Sequence, residues 1–202
     1  MKLIIILAIF CFSAACNQTK KTPTKDSNIV NTQNRGDKEP IVLTEDLGEL
    51  PKDIVENYRK SLEDQPAPSF SFTDLDGQTH TNESTNGQVV VLKFWFIACK
   101  PCVAEIPELN ELSEKYKDNN VLFLAPSLDD EADLTKFLEK HEFSYKVGAN
   151  QNKLMSDFRV FAFPTHIVID AQGIIQTVLM ASPDIKTKEE LMATIDKYIS
   201  KD

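Results

Sequence analysis

Four cysteines occur in this chain, at positions 11, 16, 99 and 102. Two of them, Cys99 and Cys102, stand in a C-x-x-C arrangement with Lys100 and Pro101 between. Two thiols at this spacing can form a disulfide or bind a metal. A structural zinc site needs four ligands, usually a second cysteine pair or two histidines. No second pair exists, and His80, His141 and His166 are scattered, so redox use leads. Cys99 and Cys102 are thus the candidate redox-active disulfide. The thiols themselves carry that chemistry, and neither a metal nor a cofactor is expected.

The pair sits at a junction. Val89 to Ile97 is apolar, β-branched and aromatic except for Lys93, which reads as a strand buried on both faces. Val103, Ile106, Leu109 and Leu112 follow at helical spacing, predicting a helix over about 100–117. A helix N-terminus presents unsatisfied N–H groups and partial positive charge, which favour a thiolate. Cys99 is therefore the expected attacking nucleophile. Cys102, one turn further in, is expected to resolve the mixed disulfide. Glu105 shares a helix face with Cys102. Partly buried, it would have a raised pKa and could accept or relay the Cys102 proton. Otherwise it is a solvated surface residue. Lys93 either pairs with Glu105, favours a thiolate, or reaches solvent at an edge.

Other segments set the context. Met1 and Lys2 precede an apolar run of signal-peptide length, Leu3 to Phe12, and then Ser13-Ala14-Ala15-Cys16. Residues 1–15 read as a signal peptide. Cys16 is then either the lipidated N-terminus of the mature protein or a free residue after ordinary cleavage. Both readings export the chain. Residues 16–40 are polar and read as a flexible tether. Residues 41–65 read as a helical extension, with Ile54, Val55, Tyr58 and Leu62 on one face. The remainder, 66–202, is the expected domain. Its alternation around Asp76-Gly77 predicts a β-hairpin, with His80 a solvated strand residue. Strands are expected at 121–125, 145–147, 165–170 and 174–180, and helices at 132–141, 153–158 and 184–200. The formal net charge of −9 argues against a nucleic-acid partner.

Phe94-Trp95 before Cys99-Lys100-Pro101-Cys102, then Pro107, and later Phe163-Pro164-Thr165, resemble the thioredoxin superfamily. Glu105, the hairpin and the extra helix–strand unit at 132–147 resemble its membrane-anchored TlpA/ResA-like branch. Ala98 stands where that family commonly has Trp. The resemblance implies an α/β thioredoxin-like fold: a central mixed β-sheet flanked by helices, with an N-terminal hairpin and a central insert. It implies a cis-proline loop at Pro164 covering the thiols, with the Phe163 backbone open to an extended partner segment. Trp95, Phe163 and Pro164 are accordingly expected to bind substrate. The implied activity is extracytoplasmic thiol-disulfide oxidoreduction in the bacterial cell envelope, reducing exported proteins in a cytochrome c maturation-type or related role. A membrane electron donor is implied upstream. Two alternatives stay open. A copper-binding chaperone would use Cys99, Cys102 and His166 together. A thiol peroxidase would ordinarily carry a lone peroxidatic cysteine.

Overall fold

The computed structural model describes residues 50–180 and 186–199. The predicted signal peptide, Cys16, the tether, residues 41–49 of the expected helical extension, and residues 184, 185 and 200 of the helix expected over 184–200 lie outside the described residues.

Five strands form the central sheet, in the order β5-β4-β3-β6-β7. The centre is β3 (Val89–Phe94), every residue of which is buried. This is the outcome its apolar run, interrupted only by Lys93, requires, since both faces are covered. On one side β3 pairs in parallel with β4 (Val121–Pro126), which pairs in parallel with β5 (Lys146–Gly148). On the other it runs antiparallel to β6 (Thr165–Ile169), which in turn pairs antiparallel with β7 (Ile175–Met180). The sheet is therefore mixed. Apart from it, β1 (Ser71–Thr73) and β2 (Thr79–Thr81) form the hairpin around Gly77, whose φ of 82° suits glycine.

Among the described residues six helices accompany the strands: α1 (Lys52–Leu62), α2 (Lys100–Ala104), α3 (Ile106–Lys115), α4 (Glu131–Leu138), α5 (Asn152–Asp157) and α6 (Thr187–Tyr198). Helix α1 packs on β7 and buries Tyr58 and Leu62, and Tyr58 donates to the Phe158 carbonyl at 3.0 Å. Ile54, placed on the same face by its spacing, is instead 44% exposed. The segment after α1 protects the β7 edge: Asp64 N–H donates to Ile175 O, Ile175 N–H to Gln65 O, and Glu63 Oε1 accepts from Val178 N–H. An unpaired edge strand invites foreign pairing, and this cover removes that risk.

Two local expectations are corrected. The helix expected over 100–117 is broken into α2 and α3 at Glu105. Pro107 is the cause, because it lacks an N–H for the Val103 carbonyl and its ring crowds the preceding turn. His80 is not solvated. It lies on the inner face of the hairpin opposite Phe72, 5% exposed, with Nε2 3.1 Å from Asp74 Oδ2.

Candidate active site

Cys99 and Cys102 form a disulfide just beyond the C-terminal end of β3, with 5.2 Å between their Cα atoms. Cys99 is the N-cap of α2, and its Sγ accepts the Cys102 N–H at 3.3 Å. That donor, aimed at the first sulfur, stabilises negative charge there once the bond opens. Cys99 is 7% exposed and Cys102 fully buried. The pair is thus unequal in burial, with Cys102 the more enclosed of the two.

The loop carrying Cys99 is held from two directions. Trp95 N–H donates to Pro126 O, and Leu128 N–H donates back to Trp95 O. Asp129 Oδ2 accepts from Ile97 N–H at 2.8 Å and from the Ser127 hydroxyl at 2.7 Å. Asp129 therefore fixes the backbone two residues before Cys99. Asp129 lies between the strand expected at 121–125 and the helix expected at 132–141, where nothing in the local pattern links it to residue 97.

Antiparallel pairing of β3 with β6 sets Phe94 opposite Thr165, so the segment before Thr165 meets the segment after Phe94. There the Phe163–Pro164 peptide is cis. The Phe163 ring meets Phe96 edge-on at 5.2 Å, and Phe96 O accepts from Cys99 N–H. The structure thus brings Phe163 and Pro164 to the disulfide loop. Trp95 is a correction. It is fully buried, its indole N–H donates to Ala125 O at 3.3 Å, and its ring lies against Phe137 and Phe143 at 5.5 and 5.6 Å. A side chain with no exposed surface cannot meet a substrate; Trp95 supports the loop from below. Trp95→Phe removes that hydrogen bond and leaves a small cavity. It is expected to cost about 1–3 kcal/mol in urea unfolding while leaving the exchange rate of the folded protein unchanged.

Beneath the disulfide lies a buried charged cluster. Lys93 Nζ donates to Cys102 O and to Glu105 Oε1, both at 2.7 Å. His166 Nε2 lies 3.0 Å from the same Glu105 oxygen. The β3–β6 register explains the meeting: Lys93 and His166 are direct cross-strand partners and project to one face, where the α2–α3 kink delivers Glu105. Burial pushes the Glu105 carboxyl up, but His166 and Lys93 outweigh it and hold the pKa at about 2. The raised value expected from partial burial is therefore overturned, because burial here comes with two donors. Lys93 is fully buried rather than snorkelling, and burial lowers it to about 8 although Glu105 acts against the shift. His166 faces Glu105, and no group of three His, Cys, Asp or Glu side chains among the described residues is arranged to hold a metal ion.

Two thiols of unequal burial at a strand–helix junction, beside a cis-proline loop on a mixed sheet, define a thioredoxin-like thiol-disulfide oxidoreductase. Residues 64–178 match the AhpC/TSA family. The chain is 32% identical over 133 residues to the thiol-disulfide oxidoreductase ResA of Bacillus cereus, covering 65% of this chain and 75% of that protein. It is 26% identical over 137 residues to the thioredoxin-like protein YneN of Bacillus subtilis, covering 66% and 79% of the two chains. Among solved structures it resembles a DsbE-type thiol:disulfide interchange protein of Chlorobium tepidum. There the identity is 27% and the TM-score 0.61, over 67% of this chain and 96% of the other. The chain belongs to the AhpC/TSA family and, within the thioredoxin superfamily, to its TlpA/ResA-like members. It is a thiol-disulfide oxidoreductase.

Proposed function

We propose that the protein works as a reductant of exported proteins in the bacterial cell envelope, anchored there through a lipidated Cys16. The observation that carries the mechanism is the unequal disulfide: Cys99 at the rim, Cys102 buried behind it. Reduced Cys99 attacks a partner's disulfide and forms a mixed disulfide. Cys102 then attacks Cys99 Sγ, regenerating the Cys99–Cys102 bond and releasing the partner as a dithiol. Glu105 shapes the resolving step through its contacts beneath Cys102. The Phe163–Pro164 segment, lying against the same loop, receives the partner chain as an extended strand.

The direction of transfer is what the TlpA/ResA-like resemblance implies: reduction of disulfides in exported proteins. A cytochrome c maturation-type task, or a related one, fits that role. A reductant in an oxidising compartment must be recharged, so a membrane electron donor completes the cycle. No helix among the described residues is long and apolar enough to cross a membrane, and the leader with Cys16 supplies the attachment in this reading. The test is direct. The reduced protein, mixed with a disulfide-bonded exported apoprotein, should open the bond and end with Cys99 joined to Cys102. Cys99→Ser should abolish turnover; continued turnover in that variant would sink the proposal.

A further inference from the structure

We propose that Lys93 is the positioning charge that makes Cys102 a resolving nucleophile, with Glu105 serving as the counter-ion of Lys93 rather than as the base for Cys102. The reading builds on thiol-disulfide exchange and assigns the residue that governs its second half. The geometry is specific. The ammonium donates to the backbone carbonyl of Cys102 itself, so its positive charge is tied to that residue. Its second contact is the Glu105 carboxylate. Position 93 lies in the middle of a fully buried central strand, where a cation is expensive unless something needs it.

The step to be helped is resolution of the mixed disulfide. Cys102 loses its proton, and its thiolate attacks Cys99 Sγ. The Cys99–Cys102 bond forms as the bond to the partner breaks. The electron pair leaves on the partner sulfur, and the proton passes to that leaving thiolate or to water. Burial opposes the thiolate, because Cys102 has no exposed surface. A nearby cation offsets that opposition, and Lys93 supplies it.

Glu105 is poorly suited to take the proton. The oxygen Oε1 already receives Lys93 and His166, and a carboxylate held this acidic is far from matched to a thiol. Its negative charge also disfavours a second anion close by. The remaining groups around Lys93 do not replace it. Tyr145, preceding β5, is buried, and burial together with Glu105 raises its hydroxyl well above its ordinary range, so it stays neutral. The Phe143 ring lies 5.5 Å from Lys93 Nζ and adds a weak attraction to the cation. His166, from β6, has Nδ1 buried without a hydrogen-bond partner among the described residues, so Glu105 is its polar contact.

The experiment follows the two thiols separately. In the reduced protein, Cys99 and Cys102 carrying 13C at Cβ are titrated by NMR in the wild type and in Lys93→Met. Resolution of a preformed Cys99–glutathione mixed disulfide is timed across pH in parallel. Lys93→Met should raise the Cys102 pKa by about one unit or more, move Cys99 less, and slow resolution at pH 7 about tenfold, with recovery at higher pH. Equal Cys102 titrations in the two proteins would overturn the proposal. If Lys93→Met does not fold, the wild type alone decides. The Lys93 15Nζ resonance of the reduced protein should report the Cys102 titration as a coupled step. A Lys93 signal blind to that titration would overturn it equally. Because glutathione supplies the mixed disulfide, failure here leaves the exported-protein role standing, and failure of that role leaves this measurement intact.

Discussion

Cys102→Ser leaves the protein covalently caught on its substrates. Cys99 retains its position at the N-cap of α2, and the N–H of residue 102 still points at its sulfur. The first displacement therefore proceeds. The second has no nucleophile, since a serine hydroxyl at a fully buried position does not ionise near neutral pH. Every productive encounter ends as a mixed disulfide through Cys99. Non-reducing electrophoresis of envelope extracts should show discrete adducts that collapse on adding dithiothreitol and are absent from the Cys99→Ser, Cys102→Ser double variant. Multiple turnover should fall to background while the first attack stays near its wild-type rate. Adducts that persist in the double variant would remove Cys99 from the role of attacking thiol.

Glu105→Gln is expected to cost about 3–5 kcal/mol of folding stability at neutral pH, because it leaves Lys93 buried without its counter-ion. The chain can escape by folding with Lys93 neutral. That route caps the cost at roughly 5 kcal/mol at pH 7, given an ordinary lysine pKa near 10.4 in the unfolded chain. The pH dependence then separates this account from a generic packing defect. In the variant, Lys93 falls below its wild-type value of about 8, while its unfolded value is unchanged. Between those two values the unfolded chain binds more protons, so stability rises with pH. The rise starts at lower pH in the variant than in the wild type, so the gap narrows as pH rises towards about 8. On the acid side the wild type holds Glu105 at about 2 against an ordinary 4.5. A depressed carboxylate contributes stability above its unfolded pKa and loses it as pH falls through the folded one. The gap therefore narrows again below about pH 4.5 and is widest between that pH and the onset of the variant's rise. Urea unfolding across that range measures it, and a gap flat with pH would mean that no charge is being lost.

The site was legible in the sequence where local pattern fixes geometry. The apolar run of β3 and the helical spacing after the cysteine pair follow from strand and helix periodicity, whereas Phe163-Pro164-Thr165 was set beside the pair only by the family resemblance. Contacts made by register were not legible. Lys93 reads as an anomaly until antiparallel pairing with β6 sets His166 beside it, and no local rule links those two positions. The sign of the Glu105 shift depended on the same pairing: burial alone raises a carboxyl, whereas burial against two donors lowers it. Trp95 shows a different limit. A fully apolar strand tells which residues are buried, but an amphipathic indole could as well have faced a partner. Only the neighbouring Phe137 and Phe143 show that it turns inward. His80 was misread for the analogous reason, since alternation in a short hairpin does not tell which face packs and Asp74 is its hidden partner.

The reduction potential of the Cys99–Cys102 pair, measured by equilibration with dithiothreitol or glutathione over a pH series, tests the central claim most directly. A disulfide that serves a reductant should lie near the value of about −270 mV typical of thioredoxin. A value towards the roughly −120 mV of strong oxidants would make the protein a disulfide donor and contradict its role as a reductant of exported proteins.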